Sequence, residues 1–66
     1  MNDKMVLKLR IRELRQARGM KLNELAARIG ISIPHLSEVE RGKKNLNNHL
    51  IERISTELGV APPELF

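Results

Sequence analysis

The sequence has no cysteine, no tryptophan and no tyrosine, and its single phenylalanine is the last of its 66 residues. Without cysteine there is no disulfide staple, no thiolate zinc site and no cysteine nucleophile. One aromatic makes a thin core, so a chain this short must rely on well-matched helix packing or on oligomerisation. Long apolar runs are missing too: the longest are three residues, as at Met5–Leu7. Nothing therefore reads as a membrane span or a signal peptide. There is no paired acidic–histidine constellation, no glycine-rich phosphate loop and no volume for a substrate pocket, so an enzyme is excluded. Acidic charge is the scarcer sign, with 8 Asp and Glu against 12 Lys and Arg, a net charge of +4.

The excess is unevenly placed. Residues 1–20 carry net +4, residues 21–45 net +2 and residues 46–66 net −2. The basic two thirds suit a polyanion partner, and the acidic end faces elsewhere. The alternative is a solvated surface that only keeps the chain in solution. Leu, Ile, Val and Phe make up 20 of the 66 residues, too many for a disordered chain and enough for one domain over residues 1–66.

The apolar spacing is helical throughout. Leu7, Ile11 and Leu14 recur at i, i+4 and i+7, with Asn2 or Asp3 as a cap and Gly19 as the stop. Leu22, Leu25, Ala26 and Ile29 form a second face, closed by Gly30. Ser32 then caps a third helix, which tolerates Pro34 in its first turn, buries Leu36 and Val39 and ends at Gly42. After a polar connection, Asn47 or Asn48 caps a fourth run through Leu50, Ile51, Ile54 and Leu58 to Gly59. Each glycine falls where a chain leaves a helix with positive φ. Pro62-Pro63 opens one further turn through Phe66, so the expected fold is all-α with five short helices.

The second and third runs are joined by about three residues around Gly30, the spacing of a helix-turn-helix. Ala26 is small where the two helices cross, Gly30 suits the turn, and Ile31, Leu36 and Val39 pin the second helix of the pair from beneath.

From Ile11 to Leu65 the chain resembles the Cro/C1-type (XRE-like) helix-turn-helix family. Ile11-Arg12-Glu13-Leu14-Arg15, Leu25-Ala26-Ala27-Arg28-Ile29-Gly30-Ile31-Ser32 and Leu36-Ser37-Glu38-Val39-Glu40-Arg41-Gly42-Lys43-Lys44 carry the likeness. Ile51, Ile54, Leu58-Gly59-Val60 and Pro63-Glu64-Leu65 complete it. Three positions depart from the pattern. Leu22 stands where the family commonly has Gln, Lys21 where it has Ser or Thr, and Leu46-Asn47 where it has Pro then Ser.

The resemblance implies a compact, lambda-repressor-like domain binding double-stranded operator DNA as a homodimer, probing the major groove with its third helix. It implies repression as the default activity, a cytoplasmic location, and neither cofactor nor metal. It assigns Ile33, Pro34, Ser37 and Glu38 to base edges, and Lys21, Arg41, Lys43, Lys44 and Asn45 to phosphates. Arg15 and Glu40 are expected to bridge the first helix to the third. The chemistry of the reading face is unusual. Ile33 and Pro34 offer only apolar contacts, suited to a thymine methyl, and Glu38 suits an amino donor such as cytosine N4. Against these stand bland readings: Ile33 partly covering the core, Pro34 only starting its helix, the lysines in a solvated loop. Leu22 reads as core, with a sugar-phosphate contact as the alternative. His35 flanks the third helix and His49 starts the fourth; they form no metal pair.

Leu65 and Phe66, with the connection from Val60 to Pro63, are the expected dimer contact, because this end is acidic and holds the lone aromatic. On that reading residues 62–66 can be removed without unfolding the rest. The alternative is that both fold back and seal the core. Met5 and Leu9 should be exposed on the first helix, as a second candidate protein contact. The competing function is a protein-interaction module, or an antitoxin-type chain binding a protein partner with the same fold. A further protein partner, or a C-terminal domain in a longer parent chain, fits either function.

Overall fold

The computed structural model describes residues 9–44 and 46–66. Its elements are α1 (Ile11–Ala17), α2 (Leu22–Ile29), α3 (Ile33–Glu40), α4 (Asn48–Leu58) and a 3-10 turn at Pro62–Leu65. The described residues thus hold four α-helices, not five. The last segment is a 3-10 turn, closed by Glu64 N–H to the Ala61 carbonyl at 2.8 Å and Phe66 N–H to the Pro63 carbonyl at 3.2 Å.

Local chemistry accounts for the boundaries. Ser32 Oγ accepts the His35 N–H at 3.1 Å, and Asn47 Oδ1 accepts the Leu50 N–H at 2.8 Å, so both caps act as the sequence implies. Lys21 offers no such acceptor; instead Glu24 reaches back to the Lys21 N–H at 2.7 Å, half of a capping box. At the other ends, Gly19, Gly30, Gly42 and Gly59 all have positive φ. Gly30 matters most. At φ +77° it lets the Ile31 N–H return to the Ala26 carbonyl at 3.1 Å, which turns the chain sharply into α3.

The first helix is shorter than the spacing suggests. It starts at Ile11, because the Arg10 N–H is taken by the Leu65 carbonyl at 2.8 Å rather than by a preceding helical turn. Leu9, expected exposed on that helix, is half-buried and lies before it. Asn2, Asp3, Met5, Leu7 and Asn45 lie outside the described residues.

The core is almost wholly aliphatic: Ile11, Leu14, Leu25, Ala26, Ile29, Leu36, Val39, Leu50, Ile54, Leu58 and Leu65 are buried. Helix α2 sits centrally, packing on both α3 and α4, while the 3-10 turn packs on α4. Leu65 corrects the sequence reading. It has no exposed surface and is one of the largest fully buried side chains. It has nothing to offer a partner, because the turn after Pro62-Pro63 folds back over α4 and points it inward. Phe66 remains outside, at 44% exposure.

Candidate nucleic-acid interface

Helix α3 buries Leu36 and Val39 against the core and leaves its other side open. That open side begins at Ile33, 47% exposed, and Pro34, also exposed. Ser37 and Glu38 follow one turn later, each half-buried. Arg41, Lys43 and Lys44 are all exposed at the end of the helix and in the loop beyond it. The candidate reading residues therefore share a flank, with the basic loop continuing from their C-terminal end. Arg41 lies along its own helix, its Nε donating to the Ser37 carbonyl at 3.3 Å. Lys21 is exposed just before α2, and Leu22 is half-buried against the core. His35 is half-buried and His49 exposed. Among the described residues no group of three or more His, Asp or Glu side chains is placed to hold a metal.

A buried ion pair sets the angle of α3. Arg15 Nε lies 2.7 Å from Glu40 Oε2 and Arg15 Nη2 lies 3.1 Å from Glu40 Oε1, a two-pronged contact from α1 to α3. The planar fork of arginine matches a carboxylate in a way a lysine cannot. Arg15 Nη1 also donates to the Met20 carbonyl at 2.9 Å, so the guanidinium ties down the α1–α2 connection as well. Arg12 approaches the same carboxylate from the solvent side, its Nε 3.4 Å from Glu40 Oε1. Sequence reading missed both additions. Arg12 was findable, standing three residues before Arg15 on the same flank; a backbone carbonyl leaves no trace in sequence. The Arg53 contact to the Arg28 carbonyl, at 2.9 Å, was equally invisible. It closes the end of α2 onto α4, beside the Arg28–Glu57 pair at 3.5 Å.

Two helices joined by a three-residue turn, the second capped, exposed along one flank and braced from below, match a known arrangement. A helix-turn-helix family model aligns with residues 11–65, nearly the whole described structure. The chain belongs to the Cro/C1-type helix-turn-helix family. It is thus a member of a DNA-binding, transcription-regulating and non-enzymatic family. It is similar to the HTH-type transcriptional regulator DdrOP3 of Deinococcus deserti, 38% identical over 56 residues, which are 85% of this chain and 43% of that one. This chain therefore spans less than half the length of that relative. Control protein C.BamHI of Bacillus amyloliquefaciens is 31% identical over 65 residues, covering 97% of this chain and 80% of its own. In structure it resembles the restriction-modification controller protein C.AhdI of Aeromonas hydrophila, with a TM-score of 0.81 and 38% identity over 86% of each chain. Among the described residues no helix is long and apolar enough to cross a membrane.

Proposed function

We propose that residues 1–66 act as one domain that represses transcription by binding a palindromic operator as a two-fold dimer, with α3 in the major groove. The observation that carries this reading is the open flank of α3, running from the apolar Ile33-Pro34 tip to the basic Arg41–Lys44 loop while the opposite flank is sealed into the core. Ile33 and Pro34 contact thymine methyls, Ser37 and Glu38 reach polar base edges, and Lys21, Arg41, Lys43, Lys44 and Asn45 hold phosphates. Half-sites then lie about one helical turn apart, roughly 34–36 Å.

Neutralising four to eight phosphates per dimer gives a log–log salt slope of about −4 to −7. A band-shift titration across salt concentrations measures it. No binding to any duplex at low salt sinks the reading and favours a protein-interaction module.

Dimerisation falls to Phe66, since Leu65 is spent on the core. An exposed aromatic at the acidic end of the chain gives a small apolar contact, and such an interface is weak, about micromolar without DNA. Phe66→Ala should abolish cooperative binding to a palindromic site and leave the melting temperature within about 4 °C, because an exposed side chain contributes little to the fold. If sedimentation shows the variant still dimeric, the contact lies elsewhere, and the segment around Met5 and Leu9 takes its place.

A further inference from the structure

Helix α3 carries two carboxylates in opposite surroundings. Glu40 is buried and held by Arg15. The Glu38 side chain is 40% exposed, on the flank proposed to face bases. A bare carboxylate brought against a duplex is repelled by the phosphates on either side of the groove. Glu38 is not bare: Lys44 Nζ lies 3.7 Å from its Oε1. The backbone arranges this approach. Gly42, at φ +76°, lets its own N–H reach the Val39 carbonyl at 3.0 Å and lets the Lys43 N–H reach the Glu38 carbonyl at 2.8 Å. The loop thereby folds back over the last turn of α3 and delivers Lys44 beside Glu38. Lys43, next to it, makes no ion pair among the described residues.

We propose that Lys44, beyond its phosphate contact, is a positioning residue for base reading by Glu38, and that Lys43 is a phosphate contact only. The inference rests on the DNA-binding reading above. An ammonium has three donors. At 3.7 Å, beyond hydrogen-bond reach, it offsets the charge of Glu38 through space and attracts the carboxylate to one side, and those donors stay available to a phosphate. The pair thus links the seat of the loop on the backbone to the base donor that Glu38 accepts from, a cytosine N4 or an adenine N6 amino group. Discrimination at that one base pair depends on both residues. The pair is exposed, so removing it leaves the fold intact.

The test is selected-site binding with the full chain as wild type, E38A, K43Q, K44Q, K44R and the E38A/K44Q double variant. Wild type should discriminate at the base pair read by Glu38 by about 5- to 150-fold; E38A should reduce that to under about threefold at the same position, and K44Q should lower it about two- to fivefold. The double variant should discriminate no worse than E38A, and K44R should restore the preference. K43Q should keep the consensus, weaken all sequences alike and flatten the salt slope by about one. A K44Q protein with undiminished discrimination at that base pair and a uniform loss of affinity overturns the inference, as does an E38A protein with the wild-type consensus. Failure of the wild type to bind any duplex at low salt is a different result, and removes the DNA-binding reading together with everything built on it.

Discussion

Leu65→Ala is expected to unfold much of the population near physiological temperature. The side chain has no exposed surface and lies in a core of eleven residues drawn from all five elements. Truncating a buried leucine costs about 2–5 kcal/mol, the spread reflecting how far the surroundings close on the cavity. A domain of this length has about 3–10 kcal/mol in total. A small domain loses roughly 4–8 °C of melting temperature per kcal/mol, so a fall of about 8–40 °C should be seen in a circular-dichroism melt. Removing residues 62–66 should do at least as much damage, because it also takes away the carbonyl that accepts the Arg10 N–H ahead of α1. A truncated chain melting within a few degrees of the intact one would show that the 3-10 turn is an appendage.

Breaking the Arg15–Glu40 pair should be as costly, and unequally so from its two ends. Losing one member of a buried pair typically costs about 3–5 kcal/mol, because the other stays desolvated without compensation. Glu40→Ala leaves Arg15 buried beside Arg12, two like charges with only the Met20 carbonyl to share. Arg15→Ala leaves Glu40 with Arg12, whose side chain is 54% exposed and has room to move inward. Glu40→Ala is therefore the more damaging of the two. Replacing both with apolar residues of similar volume, Arg15→Met with Glu40→Leu, should recover most of the stability. Urea unfolding of the two single variants and the double variant measures the coupling. Single variants that each lose less than about 1 kcal/mol would mean that water reaches the pair and that the brace is only a surface contact.

Where side-chain chemistry acts within a few residues, the sequence alone determined the outcome. Ser32 and Asn47 cap because an oxygen on a short side chain reaches an N–H three residues on. The four glycines end helices because positive φ costs them no Cβ clash. The helical spacing of Leu25, Ala26, Ile29, Leu36 and Val39 placed the helix-turn-helix and its buried side, since a period of 3.6 puts one residue set on one face. The open flank of α3, and with it the candidate reading residues, follows from the same period.

The tertiary structure alone decided what depends on distant parts of the chain meeting. Four residues of 3-10 turn have no periodicity to say which of Leu65 and Phe66 faces inward; the surface of α4 decides, taking Leu65 and leaving Phe66. The start of α1 was likewise set from 55 residues away, by the Leu65 carbonyl taking the Arg10 N–H. The sharing of Glu40 among Arg15, Arg12 and the α1–α2 connection, and the seating of Lys44 against Glu38, depend on backbone paths through turns. Those paths are fixed by packing, and neighbours in sequence carry no record of them.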